Sequence, residues 1–376
     1  MTRFAALLLL VLGCGRSPVV APPAVESAEV VKLHYAKGFR IEKRGPIRIV
    51  TVANAWKAAG KEQRYVLVPK GEKVPSEFAE SLIVRTPVEK FAALSTTHLS
   101  AFHDLGRLDA LVGFSGLKYV NNATVREGFA SGRIVAVGNG GSSSIERIAA
   151  LGCEALFASD FAADAPEQAD SLRRLGVQVV FAADFAEDHP LGRAEWIRFF
   201  APFFNEEAKA ERLFESQMKE YQRLAALTAG VKKRPTVLLN APFKGSWHVP
   251  GGKSHAARLL ADAGAQYLWA DVDSPGSLPL QFEAVLAKAA EADYWLNPGQ
   301  WSSLAQAKAE DRTYELFASF RRGMVFNCDR RKSPDGGTDY WETGVNHPER
   351  ALADLIAIFH PELLPDHRMN WYRKLP

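Results

Sequence analysis

The side chains with the most chemistry to offer sit in short stretches that follow apolar runs. Thr96, Thr97 and His98 follow the run at 92–95, Lys118 and Tyr119 follow LVGFS at 111–115, and Asn139 lies just past RIVAV at 133–137. In the second half, Phe243, Trp247 and His248 follow KKRPTVLLN, Trp301 follows ADYWLN, and Arg330, Arg331, Tyr340 and Trp341 follow MVFNC. Aromatic faces give large contact area at low entropy cost, and Arg and Lys meet carboxylates or catecholates. Such loops suit a large planar or aromatic ligand. The competing reading for Trp247, Trp301, Tyr340 and Trp341 is packing inside their own half of the chain.

Reactive chemistry is not evident. No nucleophile-elbow Gly-x-Ser-x-Gly, phosphate loop or paired-carboxylate motif stands in the chain, so no catalytic residue is assigned. GNGGSSS at 138–144 opens a helix and could hold an anion, but its glycines do not make Gly-x-Gly-x-x-Gly, and a ligand loop is the better reading. His98 and His103, or His248 and His255, do not share a helical face with a carboxylate, so no metal site and no cofactor is expected. A single axial imidazole, from His98 or His248, is the most that these residues could offer a metal complex.

These loops need elements to hold them. Residues 31–80 alternate in a β manner and are broken at Gly45-Pro46 and Gly60-Lys61, which predicts a small hairpin extension. From 81 to 192, short apolar runs alternate with helical spacing: strands at 82–87, 92–95, 111–115, 133–137, 155–159 and 177–182, and helices at 98–105 and 144–151. Ser95, Thr96 and Thr97 offer capping hydroxyls to the first helix, and Ser143 with Glu146 reads as a capping box on the second. Residues 193–230 are helical with a break at Pro202, and 205–228 alone would span about 36 Å, enough for one stiff rod between two lobes. A second strand–helix series fills 231–376. The predicted fold is α/β: two parallel-sheet, Rossmann-like lobes joined by one long backbone helix, with a ligand cleft between the lobes.

Composition sets further limits. The 376 residues carry 46 Lys and Arg against 43 Asp and Glu, a net charge of +3, and are 47% hydrophobic. That is a globular composition of about two domains, and without a dense basic run it excludes nucleic acid as a partner. MTRFAALLLLVLGC opens the chain with one charge and an apolar run too short to span a membrane, as in a signal peptide of residues 1–13. Val11-Leu12-Gly13-Cys14 resembles a bacterial lipobox, which implies lipidation of Cys14, with 14–30 as anchor and tether. Cys153 and Cys328 could pair in an oxidising compartment, but a bond between lobes would block their opening, so two buried free thiols are expected.

In order, LSTTHLSAFHDLGRLDALVGFSG (94–116), SSSIERIAALGCEALFAS (142–159), WHVPGGKSHAARLLADAGAQYLWAD (247–271), QFEAVLAKAAEADYWL (281–296) and VNHPERALADLIAIFHPEL (345–363) resemble the helical-backbone class of periplasmic substrate-binding proteins. These serve ABC importers of vitamin B12, ferric siderophores and haem. The resemblance covers roughly 88–362 and leaves out the extension at 31–70 and the tail at 364–376. It implies a monomer in the periplasm or cell envelope, anchored by its N-terminal lipid, with permease and ATPase subunits as partners and a metal chelate or corrinoid as ligand. It further implies that Glu146 and Glu283 are the acids presented to transporter arginines. An enzyme on the same fold, of metal-chelatase type, and an anchored scavenger without a transporter are the alternatives.

Overall fold

The computed structural model describes residues 28–53, 62–79, 82–139, 142–159 and 165–376. Cys14, the signal peptide and nearly all of the tether lie outside the described residues. Each lobe holds a five-stranded sheet. In the first the order is Gln178–Phe181, Ala155–Ala158, Phe91–Ala93, Leu111–Phe114 and Val135–Ala136, all parallel. In the second it is Gln266–Tyr267, Thr236–Leu239, Tyr294–Leu296, Val325–Asn327 and Arg373–Lys374, parallel except for the last. The strands are almost wholly apolar because helices cover both faces.

Between the lobes runs the helix Glu207–Thr228. Asn205 does not cap it: that residue takes φ 58°, a left-handed conformation that closes the preceding turn, and the helix begins two residues later. Its buried stripe, Ala210, Phe214, Tyr221, Leu224 and Thr228, faces the second lobe, whose helix Pro348–Phe359 lies against it. The segment before it, read only as helix with a break, is three short turns, Pro190–Ala194, Ile197–Phe200 and Ala201–Phe204, every residue of them buried.

The expected hairpin is a five-stranded sheet, Glu29–Val30, Phe39–Arg44, Ile47–Val52, Gln63–Pro69 and Leu82–Thr86, in chain order. The last strand pairs in parallel with Gln63–Pro69, so LIVRT belongs by pairing to the extension, and the boundary expected at 80/81 cuts this sheet. Both faces are covered. Phe39, Ile41, Val50, Val52, Tyr65 and Leu67 join the main core, while Ile47, Ile49, Val66 and Val68 close over Phe78.

Two buried carboxylates fasten the chain that leads into this sheet. Glu195, fully buried, accepts the backbone N–H groups of His34, Tyr35 and Ala36 at 2.7–3.1 Å and pairs with Arg198 at 2.8 Å. Glu187 accepts from Lys37 and Gly38 and from the Trp196 indole. The C-terminal tail is held in the same way. Asp354, fully buried, accepts the N–H groups of Asn370, Trp371 and Tyr372 and lies 2.7 Å from His367 Nε2. Removing one partner of a buried ion pair costs about 3–5 kcal/mol. Glu195→Ala is therefore expected to lower unfolding free energy by about that amount in urea denaturation, since it orphans three amides and leaves Arg198 only its exposed-side carboxylate partner Glu211; a loss below about 1 kcal/mol would show that the clamp is dispensable.

Candidate functional site

In both lobes the carboxyl ends of the parallel strands face the interlobe space, where α/β sheets generally bind ligands. The strand order switches direction beside Phe91–Ala93 in one lobe and beside Thr236–Leu239 in the other. Thr96 and Thr97, at the start of helix Thr96–Leu105, stand at the first switch point and are half-buried. Ser95 is the cap of that helix but makes no capping bond; its hydroxyl meets Thr97 Oγ1 at 2.9 Å instead. At the second switch point Asn240 and Asn297 follow their strands with φ of 62° and 56°. Sequence reasoning passed over both, although an asparagine directly after an apolar run is a signal for left-handed backbone.

Behind the cleft a polar chain joins the lobes. His98 Nε2 lies 3.3 Å from Asp184, whose other oxygen is 3.4 Å from Arg193, which in turn lies 3.3 Å from His255 of the second lobe. Burial works against the Asp184 charge, but His98 and Arg193 outweigh it and hold its pKa below the usual carboxylate range. Burial, aided by Arg193, pushes His255 down to about 3, so that ring is neutral. His98 Nδ1 is buried without a partner among the described residues, and beside His98 lies a small cavity also lined by Thr97, Asp104, Gln217 and Asn346. It has room for about one water.

The lobes also meet directly along a seam between residues 115–122 and 330–346. Glu342 accepts the backbone N–H of Asn121 at 2.6 Å and of Asn122 at 2.8 Å. Arg126 pairs with Asp335 at 3.1 Å. Outside the seam, at the cavity beside His98, Asn346 Nδ2 donates to Thr97 O at 2.5 Å and His347 pairs with Asp104 at 3.1 Å. Burial pushes the Glu342 carboxyl up to about 7.

Several residues expected in the cleft belong to the core. His98 is 1% exposed, enclosed by Asp184, Ser159 and Phe200, and no macrocycle reaches it as an axial ligand. Trp247, 1% exposed, stacks on Trp295 at 5.3 Å and donates to Leu239 O. Trp301 is buried against Trp295 and Tyr314 and donates to Glu310. Tyr340 packs on Trp371 and Tyr372. For Trp247 the reason is strand alternation: Ser246–Pro250 is a strand, so Trp247 and Val249 point inward and His248 outward. Lys118, Tyr119, His248, Arg330 and Trp341 are exposed, as is Phe243. For Asn139 the structure gives backbone only, in strand Gly138–Asn139, and Gly140 and Gly141 lie outside the described residues. Cys153 and Cys328 are buried free thiols.

Glu146 and Glu283 are both exposed in the first turns of Ile145–Ala150 and Phe282–Ala289. The cap at the first is Ser144, not Ser143; its hydroxyl accepts from Arg147 N and donates to Glu146 at 3.1 Å. Glu283 has no partner among the described residues.

The profile of the family described as periplasmic binding protein matches residues 91–330. An uncharacterised lipoprotein of Methanocaldococcus jannaschii is 25% identical over 326 residues, 83% of this chain and 76% of that protein. Among solved structures, a periplasmic heme binding protein from Pseudomonas aeruginosa aligns with TM-score 0.54 and 20% identity, over 73% of this chain and 93% of that one. An ABC-type Fe3+-hydroxamate transport system protein from Saccharomonospora viridis aligns with TM-score 0.55 and 17% identity, over 82% and 98%. At these identities the two structures bear on the fold, which they share with the two-lobed chain.

The interlobe ion pair gives a pH signature. Burial opposes the charged His347 ring, but Asp104 and Glu349, bonded to its two nitrogens, outweigh burial and raise its pKa to about 9. A raised histidine pKa contributes stability that is complete below about 6.5 and is lost as pH rises through about 9. The melting temperature is therefore expected to fall between pH 7 and 10, and His347→Gln to flatten that slope; equal slopes in both proteins would remove His347 from the interlobe link.

Proposed function

The chain belongs to the periplasmic binding protein family, and from that premise we propose that it is the substrate-binding lipoprotein of an ABC importer, capturing an iron–siderophore, haem or cobalamin-type complex. The observation that carries this reading is the charge left over around the seam. Asp335 is taken by Arg126, Asp339 by Arg331 and the Trp371 indole, Asp329 by Lys332 and Arg373, and Glu342 by two amides. Lys118 and Arg330 have no carboxylate partner among the described residues, and the exposed faces of Tyr119 and Trp341, 59% and 49% exposed, lie on the same rim. Unpaired cations beside open aromatic faces select a planar complex with carboxylate, propionate or catecholate groups. The heme and Fe3+-hydroxamate binders of the same fold agree in ligand type, and the lipoprotein relative agrees with envelope anchoring through Cys14. In this reading the site binds and releases, and the chain performs no chemistry on its cargo.

Calorimetric titration of residues 15–376 with haemin, a ferric catecholate, a ferric hydroxamate and cobalamin is expected to give one saturable sub-micromolar site. Arg330→Glu and Lys118→Glu are each expected to weaken it at least about ten-fold, the equivalent of about 1.4 kcal/mol. Silence across all four would overturn the chelate reading.

The two exposed helix-start acids support docking on the transporter. Each also complements its helix dipole by about 0.3–1 kcal/mol, so stability alone does not separate the roles. Charge reversal at both, Glu146→Lys with Glu283→Lys, is expected to abolish uptake in whole cells and to leave affinity within about two-fold; sustained uptake would sink the assignment.

A further inference from the structure

Across the seam the two lobes share hydrogen bonds and an ion pair, and helix Asp339–Glu342 lies against helix Thr96–Leu105. The backbone of Gly337 lies so close to that of Tyr119 that an added Cβ would sit 2.6 Å from Tyr119 Cα and O. Around it stand the Arg126–Asp335 pair, with Asp335 exposed, and a long 3.5 Å bond from Ser333 Oγ to Lys118 O. At its centre Glu342 holds two successive amides with no cation in bonding distance, and Asp339 adds like charge nearby. Two of the buried carboxylates at the chain's added segments are better compensated, Glu195 by Arg198 and Asp354 by His367 and four N–H groups, while Glu187 is held by two amides and the Trp196 indole. Each flank is rooted in its own lobe. Val120 is fully buried in the first, and Tyr340 packs on Trp371 and Tyr372 in the second.

We propose that this seam is a gate on the ligand cleft, closed by Glu342 on the amides of Asn121 and Asn122 and opened by local detachment of the two loops while the lobes stay fixed on the backbone helix. The proposal rests on the reading of the cleft as the ligand site. Its physical basis is a difference in cost. Detachment returns to water a carboxylate that burial disfavours, while Val120 and Tyr340 stay packed in their own lobes. Rotation of whole lobes would instead part Arg193 from His255 and break the His347–Asp104 ion pair, contacts with buried members.

Hydrogen–deuterium exchange on the ligand-free chain, residues 15–376, tests the gate without any ligand. In the wild type, amides at 118–122 are expected to exchange at least about 100-fold faster than those of strand Leu111–Phe114, which open only with the lobe. Glu342→Ala should accelerate them a further ten-fold or more, with the backbone-helix peptide 207–228 unchanged. Gly337→Ala, which pushes the flanks apart and leaves the carboxylate in place, should do the same. Stopped-flow mixing with haemin and with a ferric catecholate should show association at least about five-fold faster in both variants, with the X-ray scattering radius unchanged. Exchange at 118–122 that matches the strand, or variants that loosen both lobes together, would overturn the gate. Accelerated exchange with neither probe bound would support the gate and count against the proposed ligand class.

Discussion

The carboxylate of Glu195, fully buried and shared among three successive backbone N–H groups and Arg198, is the contact on which the added architecture of this protein turns. A loop crossing between layers carries amides that no strand or helix satisfies, and a carboxylate brought into the interior carries a charge that needs donors. Each solves the other's problem, and bonds to a charged acceptor are worth about 1.5–3 kcal/mol apiece against about 1 for neutral ones. The same device recurs at Glu187, which anchors residues 37–38, and at Asp354, which folds residues 370–372 back so that Arg373–Lys374 can pair with Val325–Asn327. Glu342 applies it between lobes. A two-lobed core has thus been extended at both chain ends and stitched across its cleft by one kind of bond, with compensation graded from full at Glu195 to partial at Glu342.

The alternation of short apolar runs with helical spacing placed most of the strands of both lobes and the backbone helix before any coordinates were considered, because a parallel sheet buried on both faces and a 22-residue rod leave periodic signatures. What escaped was decided by contacts far apart in sequence. LIVRT has the composition of a lobe strand, and only its pairing with Gln63–Pro69 assigns it to the extension. Glu187, Glu195, Asp354 and Glu342 bond mostly to backbone amides, three of them across some 150 to 220 residues, and an amide carries no side-chain signature to read. Trp247 was legible in part: S-W-H-V-P alternates as a strand does, which puts the indole on the same side as Val249 and opposite His248. Reading it as loop rather than strand set a core residue in the cleft. The exposed members, Lys118, Tyr119, Arg330 and Trp341, are cationic or amphipathic groups that keep a charge or a polar edge in water.

The same inventory explains how the cleft can be both rigid and accessible. Its rear wall is crossed by Arg193–His255 and by Asp104–His347, buried polar links of which the second is an ion pair whose separation would cost several kcal/mol, and the backbone helix buries its apolar stripe alongside them. Wide lobe closure is therefore expensive, and affinity has to come from a cleft largely formed beforehand, where little ordering entropy is left to lose on binding. The front is different. There the bonds are polar, and the buried Glu342 carboxylate has no cation in bonding distance, so the free energy of parting is set largely by groups that water receives well. A fold that concentrates its apolar and paired-charge contacts at the rear and its unpaired polar contacts at the front directs its lowest-cost fluctuation to the cleft mouth, where the proposed ligand would enter.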